Sequence, residues 1–152
     1  MAFVVLRIKG SVNVPYWARY TLDSLNLYKK FWATILPETQ DSLGMLKKIK
    51  DFVAWTNVDA SLVKDLLEKR GKGEGSKSFK LLPQVGDYHN VEELASDIAK
   101  DKIRLSNLQM VKPWFALSPP RGGFKKNTKR PYNQNGILGE DKELAQLIRR
   151  MI

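Results

Sequence analysis

Apolar positions repeat with two different periods along the first part of the chain. In Phe3-Val4-Val5-Leu6-Arg7-Ile8-Lys9-Gly10, Val4, Leu6 and Ile8 fall on one side and Arg7 and Lys9 on the other, the pattern of a strand with one face buried. After Pro15, Ala18, Leu22 and Leu25 recur at helical spacing, and Asn26 suits the left-handed residue that ends a helix. The run Phe31-Trp32-Ala33-Thr34-Ile35-Leu36, closed by Pro37, predicts a second strand. Leu43, Leu46, Ile49 and Val53 then return every three to four residues with Lys47, Lys48 and Lys50 between them, which predicts a basic amphipathic helix. Residues 53–58 read as a short third strand. Strand, helix, strand, helix, strand predicts an α+β unit whose three-stranded sheet carries both helices on one face. So short a unit buries proportionately little surface and benefits from an extension or a partner.

Residues 59–152 are expected to supply that extension and to pack on the 1–58 core as one unit. Asp59 is placed to cap a helix carrying Leu62, Val63, Leu66 and Leu67, with Gly71 ending it. The Gly, Ser and Lys run at 71–78 reads as a linker. It is not a P-loop, because Ser76 stands where that motif needs glycine and the segment follows a helix instead of a strand. Asn90, with Glu93 reaching back, predicts a capping box and a helix whose apolar side is Val91, Leu94, Ala95 and Ile98. Its acids Glu92, Glu93 and Asp97 turn it away from any polyanion. A short strand is expected at 114–117. A last helix at 140–152 would bury Leu144, Leu147, Ile148 and Met151 and carry Arg149 and Arg150 at the end where the helix dipole favours cations.

Composition narrows the function. The 152 residues are 43% hydrophobic and 28% charged, which suits a folded domain and not a disordered tail. The absence of cysteine excludes disulfides, thiolate metal sites and cysteine nucleophiles, and a single histidine, His89, removes most histidine metal sites. The first residues lack a basic n-region and their apolar run is broken at Arg7, so neither a signal peptide nor a membrane span is expected, and the chain reads as soluble and intracellular.

Charge is more informative. Twenty-six Lys and Arg against sixteen Asp and Glu give +10, a balance suited to a polyanion such as nucleic acid. The excess is concentrated: residues 102–139 hold eight basic side chains and no acid, and the remaining 114 residues are nearly balanced, with eighteen basic and sixteen acidic. Within that stretch, Ser118-Pro119-Pro120-Arg121-Gly122-Gly123-Phe124-Lys125-Lys126-Asn127-Thr128-Lys129-Arg130 combines an extended backbone set by two prolines, two glycines that admit a phosphate close to the main chain, and five basic side chains. That is the chemistry of an RNA backbone clamp. A solvated basic loop is the plainer alternative, and its self-repelling charge predicts a mobile segment over 118–136 in the free protein. Lys47, Lys48 and Lys50 on the second helix, and Lys29 and Lys30 before the second strand, are candidates to reinforce the clamp. Tyr16 and Trp17 read more readily as core packing than as bases' stacking partners. Asp87-Tyr88-His89 reads as a surface loop, since no nucleophile or ligand set accompanies it.

Three stretches then point to a family. Thr21-Leu22-Asp23-Ser24-Leu25-Asn26-Leu27, Pro37-Glu38-Thr39 and Gly44-Met45-Leu46-Lys47-Lys48-Ile49 resemble the large-subunit ribosomal protein L-thirty family. Val91-Glu92-Glu93-Leu94, the run from Lys112 through Pro119-Pro120-Arg121-Gly122-Gly123, and Leu147-Ile148-Arg149-Arg150-Met151 are similar to its long archaeal and eukaryotic form. Entry into the first strand without a long basic arm favours an archaeal source. Asn135 stands where the family tends to have glycine, and Asn is the side chain that best tolerates the left-handed turn implied there.

The resemblance implies a ferredoxin-like-related β-α-β-α-β core with an antiparallel three-stranded sheet. It also implies a structural constituent of the large ribosomal subunit, cytoplasmic and non-enzymatic, without cofactor or metal. Its partners would be large-subunit ribosomal RNA, contact near 5S RNA included, and neighbouring ribosomal proteins, the chain being a monomer within the ribosome. Carried over by motif, the RNA-binding residues include Met45 and Lys48 on the second helix and Arg121, Gly122, Gly123, Lys125 and Lys126 in the loop. The residue reading adds Lys29, Lys30, Lys47, Lys129 and Arg130. Two competing classes are an RNA-processing or RNA-modifying enzyme, for which no convincing nucleophile, acid–base pair or cofactor loop is seen, and a basic peripheral membrane protein. The latter would place bulky apolar anchors where this chain has Pro, Gly and Asn.

Overall fold

The computed structural model describes residues 1–73, 88–108 and 111–152. Six strands and five α-helices follow in the order β1 (Phe3–Arg7), α1 (Tyr16–Ser24), β2 (Trp32–Leu36), α2 (Gln40–Lys48), β3 (Val53–Asn57), α3 (Ala60–Arg70), α4 (Val91–Ala99), β4 (Phe115–Ala116), β5 (Asn127–Pro131), β6 (Gly136–Glu140) and α5 (Leu144–Met151). The expected linker at 71–78 lies outside the described residues from position 74 onward, as does Asp87.

The sheet has six strands in the order β4-β2-β1-β3-β6-β5, where the sequence reading expected three. β1 pairs antiparallel with both β2 and β3, Val5 standing opposite Thr34 on one side and Trp55 on the other. Two strands flanking one centre leave their outer N–H and C=O groups unpaired, an edge that must be covered or blunted. The extension pairs with both. β4 adds antiparallel to β2, and β6 adds parallel to β3 with β5 beyond it. This is the physical reason the strand count exceeds three.

Helices lie on both faces. Ala18, Leu22 and Leu25 near and in α1, with Leu46 and Ile49 at α2, pack on Phe3, Val5, Val53 and Trp55. Helices α3, α4 and α5 pack on the opposite face through Leu62, Leu66, Leu94, Ile98, Leu144 and Ile148, against Val4, Leu6, Ala33 and Ile35. All five residues of β1 are consequently buried, which corrects the expectation of a half-buried strand with Arg7 outward. Arg7 is only 3% exposed. Its guanidinium donates to the carbonyls of Leu27 at 2.6 Å, Lys9 at 3.0 Å and Gly10 at 3.3 Å, so a buried cation is matched by backbone oxygens in place of a carboxylate. Burial holds its pKa below the usual arginine value.

Helix ends follow the local sequence unevenly. After α1, Asn26 sits at φ 60°, the Leu27 N–H donates to the Leu22 carbonyl at 2.9 Å, and the Asn26 N–H donates to Asp23 at 3.1 Å, the paired bonds of a Schellman end. α2 begins earlier than its apolar spacing suggests because the Thr39 side chain accepts from the Ser42 N–H at 3.2 Å. It stops at Lys48 because Val53, which also fits the helical period, is used in β3. The capping box expected at Asn90 is not formed, since the Asn90 side chain makes no cap bond. Gly71 ends α3 without left-handed backbone, at φ −62°. The last helix starts at Leu144 and not at 140, because residues 136–140 continue the sheet with Ile137 and Leu138 buried and Gly139 turning the chain at φ 84°.

Replacing Asn26 tests the α1 end: Asn26→Ala should lower stability by about 1 kcal/mol, and Asn26→Gly should leave it within a few tenths. Urea unfolding of the two variants reads the difference.

Candidate nucleic-acid interface

The proline–glycine segment after β4 is tied to the C-terminal helix. The Ser118 N–H donates to the Met151 carbonyl at 3.1 Å and the Arg121 N–H to the Arg150 carbonyl at 3.2 Å. In return the Arg150 guanidinium donates to the carbonyls of Arg121 at 3.2 Å and Gly123 at 3.1 Å. Arg70 at the end of α3 donates to the Ser118 hydroxyl at 2.7 Å. Gly122 and Gly123 both have left-handed backbone, φ 77° and 73°, and no atom of the chain crowds the place where a side chain would start. Consecutive positive φ is a conformation that only glycine adopts without strain, so the pair is demanded by backbone geometry and leaves an open patch of main chain. Self-repelling charge in this segment is offset by helix-end carbonyls and by arginines that bond the backbone.

The expected basic residues divide by surroundings. Arg121, Lys125, Lys129 and Arg130 are exposed and, among the described residues, without an ion pair. Lys126 is engaged. Its ammonium lies 2.8 Å from Glu143 and 4.6 Å from the centre of the Tyr132 ring, and the Glu143 hydrogen bond raises its pKa. Nearby, buried Asp141 accepts from the Glu143 N–H at 2.8 Å, and burial raises its pKa above the ordinary carboxylate value. Phe124, the aromatic of the clamp, packs against Phe31 at 5.9 Å between centroids and serves the core side. Lys30 lies 4.8 Å from the Phe31 ring centre, which brings it to the same neighbourhood. Lys29 lies instead beside Trp32, 6.0 Å from its centre.

On α2, Lys47 and Lys48 are exposed, and Met45 is partly buried against the α1–α2 core. Lys47 and Lys50 line a groove of about 800 Å³ together with Pro131 at the end of β5 and Tyr132 and Asn133 of the turn that follows. Asn135 ends that turn at φ 60°, the left-handed residue expected there, and a Cβ on Gly136 would overlap the Arg130 carbonyl group. Gly44 has open space around its missing side chain. A helical glycine costs roughly 1 kcal/mol relative to alanine, and packing within the chain does not require this one.

Two expectations fail here. Tyr16 and Trp17, read as core packing, are 84% and 45% exposed. Arg150, read only as a dipole-compatible helix end, is the side chain that holds the glycine turn. The sequence signal was its position in the last turn, where an arginine reaches backbone carbonyls as readily as solvent. Lys72, Lys112 and Trp114 are not among the expected site residues, since only strand pairing brings them together with Trp32. Among the described residues no group of acids and histidines is placed to hold a metal ion, and no helix is long and apolar enough to cross a membrane.

Arg150→Met should cost about 1 kcal/mol of stability and raise amide hydrogen exchange at residues 121–125 above the wild type. Unchanged exchange would show that the helix-end carbonyls alone hold the turn.

The chain is similar to known proteins. The model of the ribosomal protein L30p/L7e family matches residues 3–53. Proteins named large ribosomal subunit protein uL30 are similar over nearly the whole length: that of Cenarchaeum symbiosum is 47% identical, covering 99% of this chain and 98% of its own. That of Nitrosopumilus maritimus is also 47% identical with the same coverage, and that of Staphylothermus marinus 41%. With such identity over nearly the whole length, the chain belongs to the ribosomal protein L30p/L7e family.

Proposed function

We propose that this protein is a structural constituent of the large subunit of the archaeal cytoplasmic ribosome, not an enzyme, and that it binds large-subunit ribosomal RNA as a single copy, with contact near 5S RNA. The observation that carries the reading is the anchored glycine turn, with exposed Arg121 and Lys125 on it and Lys129 and Arg130 following on β5. Phosphate oxygens are neutralised by such side chains, and the uncovered Gly122–Gly123 main chain admits a sugar–phosphate backbone closely. The open Gly44 backbone with Lys47 and Lys48 gives α2 the same combination of close approach and positive charge, and Met45 lies between them in sequence. Lys30, near the Phe31–Phe124 contact, extends the positive surface beside the loop. Residues 59–152 act with the 1–58 core as one binding unit, because the turn is held by α3 and α5 while α2 belongs to the core. The names of the related proteins support the setting.

Lys126 plays a smaller part than its neighbours, since Glu143 already takes much of its charge. The experiment is binding of the purified protein to large-subunit ribosomal RNA across a salt series. An Arg121→Ala/Lys125→Ala/Arg130→Ala variant should give a slope of log affinity against log salt shallower by about two to three. Lys126→Ala should change that slope by less than one. A triple variant with the wild-type slope and affinity would remove the turn from the interface.

A further inference from the structure

The β4 edge of the sheet carries an arrangement that the phosphate-binding reading leaves unused. In the antiparallel pairing of β2 with β4, Trp32 stands opposite Ala116. Trp114, two residues before Ala116, therefore shares its face and lies diagonal to Trp32, a spacing that long aromatic side chains bridge. The two indoles are stacked, with centroids 4.1 Å apart and planes 9° from parallel. Tyr28, itself 46% exposed, stands edge-on to Trp32 at 5.9 Å. The chain before Trp114 is fixed by the Thr34 hydroxyl, which donates to the Pro113 carbonyl at 2.8 Å.

Three ammonium groups surround the stack. Lys29 lies 6.0 Å from the Trp32 ring centre, and Lys72 and Lys112 lie 5.9 Å and 5.3 Å from that of Trp114. Lys72 and Lys112 are drawn together by the backbone: the Lys112 N–H donates to the Lys72 carbonyl at 2.8 Å, and Gly73 and Val111 form an antiparallel bridge beside them. Lys29 and Lys72 make no ion pair among the described residues. Trp32 also packs on the α1–α2 core, whereas Trp114 is only partly buried and belongs to neither buried cluster. A partly buried indole held parallel to another, with the Lys72 and Lys112 ammonium groups over its ring, offers a flat π system and positive charge to one and the same ligand.

We propose that this cluster is a stacking site for an unpaired nucleotide of the ribosomal RNA, the base lying on the outer face of Trp114 and its flanking phosphates taken by Lys72, Lys112 and Lys29. Stacking on an aromatic side chain needs no particular base, and ammonium groups beside the ring match the backbone charge of the same nucleotide. The site rests on the RNA-binding reading above, and it adds base contact to an interface so far made of phosphate contacts.

The test compares the full-length wild type with Trp114→Ala, Trp114→Phe and Lys72→Ala for binding to large-subunit ribosomal RNA across a salt series. Thermal melting checks that each variant is folded. Trp114→Ala should weaken binding about five-fold or more at every salt concentration without changing the slope. Trp114→Phe should retain most of the affinity, and Lys72→Ala should lower the slope by about one. Wild-type protein irradiated with the same RNA carrying 4-thiouridine should crosslink through the peptides containing Tyr28 or Trp114, a readout that does not depend on a variant's folding. A folded Trp114→Ala with wild-type affinity, or crosslinks confined to residues 121–130, overturns the stacking site while leaving the phosphate reading in place. A wild-type protein that does not bind the RNA overturns both.

Discussion

Burial of β1 from both sides is the constraint on which the rest of the architecture depends. Phe3 and Val5 face one helical layer, Val4 and Leu6 the other, and neither layer can shift without exposing half of that strand. The pairing of β2 and β3 with β1 then sets where the sheet edges fall, and the extension takes its shape from them, with β4 covering one edge and β6 the other. Arg7 shows how strict the constraint is. A charged side chain at the end of a doubly covered strand is retained because three backbone carbonyls meet it, one of them from Leu27 just beyond the Schellman end of α1.

How much of this was legible follows from the range of each interaction. The strand and helix periods over residues 1–58, the left-handed Asn26 and Asn135, and the amphipathic run of α4 are local features, and their residues announce them. What went unread depends on contacts distant in sequence. Alternation in β1 looked half-buried because Arg7 and Lys9 are polar, and the second helical layer that buries the strand comes from residues 60–151. Ile137 and Leu138, two apolar residues followed by glycine, carry no period of their own, and only pairing with β3 makes them a strand. The capping box at Asn90 had the right residues but formed no cap bond, and the Glu92 carboxylate beside it instead meets Lys64 across the α3–α4 contact at 2.6 Å.

The candidate interface divides in the same way. The Pro-Pro-Arg-Gly-Gly run stood out in the sequence because prolines, glycines and arginine have conformational and chemical meanings that need no tertiary context. Its anchoring did not, since Arg150 reaches it from about thirty residues away, and a basic side chain in a last helical turn reads first as a dipole effect. The charge excess was visible as a number, yet the structure distributes its use: Lys126 bonds Glu143, Arg149 donates to Ser61 and Arg150 to the turn, while Arg121, Lys125, Lys129 and Arg130 stay in solvent. Fold and binding surface are thereby coupled, because the cations that hold the loop are what present the others in a fixed arrangement.

Docking of this fixed basic surface into one place on the large subunit is what the coupling of fold and surface implies. It is tested most directly by adding the purified protein to archaeal large-subunit particles from which salt has stripped loosely held proteins, and measuring copies bound per particle by sedimentation and mass spectrometry. Saturation at one copy per large-subunit particle, with no comparable uptake by small subunits, is the expected outcome. Uptake that never saturates, or that is equal on both subunits, would reduce the surface to a non-specific polyanion binder and contradict docking at one place.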